Sequence, residues 1–236
     1  MKLQRFAILL MSGLAFTTLS SHASLVLGTG TGALIGGDLT DPENDGAADA
    51  NVNYNASFNS SHEPFFGGGE GAFNVFDNIL SPRNGKWCCN GPGTAAQDLS
   101  GGNLRSVWVE ANFDDKRYVL NTFTLASAND VPGRDADQWR ILGSNDGINY
   151  NTIFEYDNNG TAIWNARYQV VAFSSDMGDF AEQNMAYSIF RYEAYSVVNN
   201  SMHQLGEFEI FGQIPEPTSI ALLGLGLLGL RARRKA

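Results

Sequence analysis

The chain has 236 residues, of which 25 are acidic and 15 basic, for a formal net charge of −10. A surface of that sign repels nucleic-acid phosphates and anionic lipid headgroups. Nucleic-acid binding is thereby excluded, and a divalent cation, or a neutral or cation-bridged polymer, suits the chain better.

At the N-terminus, Lys2 and Arg5 precede an apolar run from Phe6 to Phe16, and Ser21-His22-Ala23 comes next with small residues at the first and third places. A basic start, a short apolar middle and a small-x-small exit are the three parts of a secretory signal peptide. The run is shorter than the ~20 apolar residues of a bilayer-spanning helix. Residues 1–23 therefore read as a signal peptide cleaved after Ala23. In the next segment, residues 24–58, Leu25-Val26-Leu27 and Ala33-Leu34-Ile35 can form an opening strand pair packed on the body of the protein. Residues Asp38 to Gly46 are rich in oxygen ligands but lack the spacing of an EF-hand loop, so a solvated acidic turn is expected.

The middle of the chain is rich in Asn, Asp, Gly and Ser, and short β-type runs alternate with turn residues. Ser106 to Phe113 places Val107, Val109, Ala111 and Phe113 on one face. Tyr118 to Ala126 and Gln138 to Gly143 read as further strands, the latter closed by a Ser144-Asn145-Asp146-Gly147 turn. Ala162 to Phe173, with Trp164 in the core, and Tyr187 to Val198 continue the series. Glu207 to Phe211 alternates charge with apolar bulk, which points Phe208 and Ile210 inward. Several short strands divided by turns predict an all-β fold, an antiparallel jelly-roll β-sandwich over residues 59–213.

Beyond it, Pro215-Glu216-Pro217 interrupts the chain, an apolar stretch runs from Ile220 to Leu230, and Arg231, Arg233, Arg234 and Lys235 close it. The basic cluster should stay cytoplasmic, and the apolar stretch is too short for a good permanent anchor. The three-part order over residues 214–236 resembles the PEP-CTERM sorting signal. That resemblance implies removal by an exosortase-type membrane protease acting at Pro215, Glu216 and Pro217. It also implies transient inner-membrane association through a short hydrophobic helix, then a place at the cell surface, in the extracellular matrix or in the medium. The signal peptide carries +2 and the tail +3, so residues 24–213 alone carry −15.

Three segments carry a second resemblance: Glu70 to Asn78 with the later Lys86-Trp87, Trp139 to Gly147, and Gln204 to Gly212. In that order they resemble a discoidin, or coagulation-factor type C, domain of the galactose-binding-like fold. The resemblance implies a structural calcium, with carboxylates from Asp77 and Glu207 and main-chain carbonyls completing the shell. Otherwise Asp77 forms an Asx turn and Glu207 lies on the surface. It also places ligand binding on loops at one end of the sandwich. There Arg134 can clamp a sugar hydroxyl or carboxylate, or tie down its own loop through Asp135, the plainer expectation. Asp137 shares that loop, and Phe65 with Phe66 can offer a stacking platform. Cys88 and Cys89 are the only cysteines; bonding to each other would be unusual, and buried free thiols beside Trp87 are the plain expectation.

The resulting functional reading is an exported, non-catalytic protein that binds carbohydrate or exopolysaccharide. No Gly-x-Ser-x-Gly or His-Glu-x-x-His motif is present. An extracellular polysaccharide hydrolase and a self-associating matrix component remain the alternatives.

Overall fold

The computed structural model describes residues 24–47, 50–63, 69–82, 85–89, 106–158 and 160–215. Its architecture stems from side chains that alternate along each strand. Strands β1 (Leu25–Thr29), β2 (Ser57–Ser60), β3 (Trp87–Cys88), β4 (Val107–Asn112), β5 (Val119–Ala126) and β6 (Ala136–Ser144) come first. β7 (Tyr150–Asp157), β8 (Gln169–Ser174), β9 (Ile189–Val197), β10 (Gln204–Leu205) and β11 (Glu207–Gln213) complete the described set. A four-stranded sheet, β1-β8-β5-β11, and a five-stranded sheet, β2-β4-β9-β6-β7, are antiparallel throughout. The short pair β3-β10 stands apart from both. The chain is an all-β sandwich.

The sheets meet over an aromatic core. Val107, Val109 and Ala111 of β4 face it, as do Phe208 and Ile210 of β11, as the alternation predicts. Trp139 is fully buried and contacts Phe154, Phe173 and Tyr192 with ring centroids 5.2–5.7 Å apart. Each ring of this size buries roughly 150–250 Å², and truncating one to alanine costs about 3–5 kcal/mol.

Three local expectations change. Leu25-Val26-Leu27 is a strand, but it pairs with β8. Its expected partner starts instead as a 3-10 turn over Thr31–Ala33, set by the Gly30 carbonyl accepting from the Ala33 amide. The run from Ala162 becomes strand only at Gln169. Before it, Asn165 and Gln169 exchange hydrogen bonds (2.8 and 3.0 Å) that fold the chain back, while Trp164 is buried and donates to the Leu125 carbonyl. β7, which no sequence signal singled out, forms an edge of the five-stranded sheet.

Residues 24–47 cross the outer face of the four-stranded sheet. From β1 at one edge, Leu27, Ala33 and Leu34 pack on Leu80, Ala126 and Val170, a second small apolar cluster. The segment then reaches β11 at the opposite edge, where the Leu39 amide donates to the Ile210 carbonyl (2.8 Å).

Candidate functional site

Two charged regions result from this arrangement. The first lies where the N-terminal segment meets β11 and the loop after Val75. Period-2 alternation turns Glu207 and Glu209 away from the core, toward a face the sequence expects to be wet. The N-terminal segment covers that face, and both carboxylates are fully buried. Glu209 is satisfied locally, since the Gly36 amide (2.6 Å), the Ile35 amide (3.2 Å) and the Thr124 hydroxyl all donate to it.

Glu207 is not. Its Oε1 accepts from the Asn78 amide (3.2 Å), and its Oε2 is buried with no hydrogen-bond partner. Asn78 gathers the other groups: its Nδ2 lies 3.1 Å from the Asp41 carbonyl, 3.4 Å from Asp41 Oδ2 and 3.5 Å from Asp38 Oδ1. Its own Oδ1 is also buried without a partner. Asp77 is buried beside it and forms the Asx turn, with Oδ1 accepting from the Ile79 amide (2.9 Å). Glu207 as a surface residue is therefore corrected, because the covering segment removes it from water.

The solvated acidic turn is corrected as well. Glu43 and Asp45 are exposed, but Asp38 and Asp41 are buried. Asp38 Oδ2 accepts from the Ile210 amide (2.8 Å) and Oδ1 from the Asp41 amide (3.1 Å). The Asp41 carboxylate accepts from the amides of Asp45 and Gly46, both at 3.1 Å. Among the described residues no lysine, arginine or histidine stands within ion-pair distance of Asp38, Asp41 or Glu207. Burial pushes the Asp38 carboxyl up to about 6. Burial raises Glu207 well above the usual range too, with Asp77, Glu209 and Asp38 adding to the effect.

Burying an uncompensated carboxylate costs several kcal/mol. Calcium takes six to eight hard oxygens, carbonyls included, and tolerates irregular geometry. The donors here are all oxygen, and two of them are buried without partners. The residues fit that ion.

The second region is balanced internally. Lys86, 2 % exposed, donates to Asp130 Oδ1 and Asn129 Oδ1 (both 2.9 Å) and lies 3.5 Å from Glu70 Oε1. Cys88 and Cys89 are bonded to each other, so the expectation of free thiols is corrected. Cys88 ends β3 and Cys89 follows it directly. Glu70, Cys88 and Cys89 bring ligand atoms within 4.8 Å of one another, but oxidised sulfurs have no thiolate to offer a metal.

Arg134 ends a 3-10 turn, Pro132–Arg134, and lays Nη1 3.7 Å from Cys89 Sγ and 3.9 Å from both Cys88 Sγ and Asp130 Oδ1. It does not hold its loop through Asp135. That carboxylate is taken by both terminal nitrogens of Arg167, because neighbouring residues at the end of the turn face different ways. Asp137 is buried and accepts from the Gly160 amide. The structure thus separates Arg134, at the rim, from Asp137, inside. Phe65 and Phe66 lie outside the described residues, as do Ala23, Glu216 and Pro217; Pro215 is exposed beyond β11.

The pattern of the PEP-CTERM protein-sorting motif matches residues 213–235. The chain ends in a PEP-CTERM sorting motif. It begins on the last residue of β11, one position earlier than the three-part sequence pattern places it. Among the described residues no helix is long and apolar enough to cross a membrane, and the apolar run of the motif lies outside them. No curated protein matches the chain significantly.

Solved structures that resemble it include CpGH89CBM32-5 from Clostridium perfringens, in complex with GalNAc-β-1,3-galactose. That likeness has 15% identity and a TM-score of 0.47, and covers 67% of this chain and 96% of that one. Chitosan-binding module 1 of a chitosanase/glucanase from Paenibacillus sp. IK-5 has 18% identity and a TM-score of 0.45, over 67% and 96%. The family 32 carbohydrate-binding module of NanJ from Clostridium perfringens, in complex with galactose, has 12% identity and a TM-score of 0.45, over 66% and 93%.

Proposed function

We propose that this is an exported, non-catalytic carbohydrate-binding protein, sorted through its C-terminal motif by an exosortase-type protease and stabilised by calcium at the acidic group. The observation that carries the binding reading is the rim formed by Arg134, Glu70 and Asp130 around the Cys88–Cys89 disulfide. A guanidinium and two carboxylates, 21%, 14% and 44% exposed, border a disulfide of which Cys89 is half-buried and Cys88 lies beneath it, buried. Sugars present hydroxyls at their edges and C–H bonds on their faces, and sites for them combine a few fixed polar groups with apolar floor. Arg134 supplies directional donors, and Lys86 fixes both carboxylates from beneath.

Export is supported by the sorting motif together with the signal-peptide pattern. Asp77 and Glu207, with neighbouring oxygens, would hold calcium, whose charge would offset the buried carboxylates. The protein's own residues position the loops; the ion supplies charge compensation.

The test is binding of the full chain to an immobilised panel of neutral and uronate-containing polysaccharides in calcium buffer. Binding to at least one polymer is expected, with Arg134→Ala weakening it about tenfold and leaving thermal stability within about 0.5 kcal/mol. Absence of binding across the panel, or an Arg134→Ala variant that binds as well as the native chain, sinks the reading. Release of reducing ends from the same polymers would point instead to the hydrolase.

A further inference from the structure

We infer that Asp38 and Asp41, which lie in the connection between β1 and β2, belong to the cation site, so that the cation fastens residues 30–47 across the outer face of the four-stranded sheet. The inference rests on the calcium reading above and adds to it two ligands and a mechanical consequence.

Three observations support it. First, Asn78 touches Asp38, Asp41 and Glu207 at once, the first two through its side-chain amide and Glu207 through its main-chain amide, so carboxylates from the N-terminal segment and from β11 meet around one residue. The partnerless oxygens, Glu207 Oε2 and Asn78 Oδ1, belong to residues that are fully buried and 93 % buried respectively.

Second, the segment is pressed against the loop carrying Asp77. A Cβ at Gly46 would stand 3.0 Å from Asp41 Oδ2 and 3.1 Å from the Asp77 carbonyl oxygen, so any side chain there would crowd both. A carboxylate oxygen and a main-chain carbonyl therefore converge beside that glycine. This is the mixed donor set that calcium accepts.

Third, the acids of this segment are sorted. Asp38 and Asp41 are buried, while Glu43 and Asp45 face solvent. Main-chain amides of Ile210, Asp41, Asp45 and Gly46 hold the buried pair in place, yet among the described residues no cationic side chain offsets its charge.

With the ion absent, the segment would be held by the Glu209 anchor, the Leu39–Ile210 and Ile210–Asp38 hydrogen bonds and the small apolar cluster, all working against like-charge repulsion. With the ion bound, that repulsion becomes attraction through a shared centre. The cation thus acts as a clasp between residues 30–47 and β11.

The experiment is hydrogen–deuterium exchange on the full chain, in calcium chloride or in chelator, paired with calorimetric titration of calcium. Amides of residues 35–47 should exchange at least tenfold more slowly with calcium. An Asp38→Asn, Asp41→Asn double variant should lose at least tenfold in calcium affinity, whereas a Glu43→Gln, Asp45→Asn variant should bind as the native chain does. Calcium binding without slowed exchange in the native chain, or undiminished in the first variant, overturns the clasp while leaving the calcium site at Asp77 and Glu207 intact. Absence of calcium binding to the native chain overturns both. The exchange comparison needs no variant, so a misfolded Asp38→Asn, Asp41→Asn chain does not blunt the test.

Discussion

The acidic group and the disulfide rim hold similar numbers of carboxylates yet handle them in opposite ways. At the rim, Glu70 and Asp130 share Lys86, and Arg134 stands 3.9 Å from Asp130. Nearby, Asp135 is gripped by Arg167. Each negative charge there has a cationic partner from the chain itself, and the rim stays partly open to solvent. Around Asn78 the carboxylates of Asp38, Asp41 and Glu207 are buried without one. A folded chain that internalises like charges must either protonate them or import a counterion. One region is finished by its own sequence and the other by its surroundings.

The largest effect expected from breaking this contrast is at the self-sufficient region. Asp135→Ala removes a buried carboxylate from its two-pronged contact with Arg167 and should cost about 3 kcal/mol. It should lower the melting temperature by roughly 6–12 °C for a domain of this size, to the same extent with calcium or with chelator. A calcium-dependent loss would show that the two regions are coupled.

The opposite sign is expected at the acidic group. In chelator, Glu207→Gln removes an uncompensated acid while keeping the acceptor for the Asn78 amide, and should stabilise the chain by about 1–3 kcal/mol. The same variant should no longer gain stability from calcium, which in the native chain should contribute roughly 2.7 kcal/mol at a hundredfold excess over the Kd. Melting curves of both proteins under both conditions decide this. Glu207→Gln destabilised in chelator would mean that Glu207 needs its charge without an ion.

A smaller effect sharpens the contrast between buried acids and buried bases. His203 is fully buried beside Trp87, with Nε2 3.0 Å from the Tyr192 hydroxyl, and burial together with the nearby His62 pushes it down to about 3. Its folded pKa lies below its unfolded value near 6.5, so between those values the unfolded chain binds the extra proton. Stability from this group is complete above pH 6.5 and declines as the pH falls toward 3, by at most ~1.4 kcal/mol per unit. Urea midpoints at pH 7 and pH 5 should show the decline in native chain and a shallower one in His203→Gln. Equal slopes would remove His203 as its source.

Much of the fold is legible in the sequence because burial has a period of two. The alternation in β4 and β11 places Val107, Val109, Phe208 and Ile210 correctly. The same rule misplaces Glu207 and Glu209 in water: it gives their direction but is blind to a distant segment that covers them. Asp38 and Asp41 are placed in water for the same reason, since an acidic stretch reads as solvated until its partner is known. Gly46 is the available signal, a residue with no turn requirement whose missing side chain marks a close approach. The disulfide is not legible because bonding between adjacent cysteines is uncommon, and nothing in the sequence announces it. Asp77 is legible only through its setting in Glu70 to Asn78.

The strand β1 lies immediately after the expected signal cleavage, yet its partner in the sheet is β8, and the segment behind it is anchored by β11. A chain leaving a translocation channel from its N-terminus would carry β1 outside long before either partner arrived. Contacts so distant in sequence are slow to form: the pairing of β1 waits for Gln169–Ser174, and the anchor of the segment behind it waits for Glu207–Gln213. The sorting motif begins on that same Gln213. The strand that completes the four-stranded sheet therefore ends on the residue where the motif opens, so closing the sandwich and presenting the motif fall on one stretch of polypeptide.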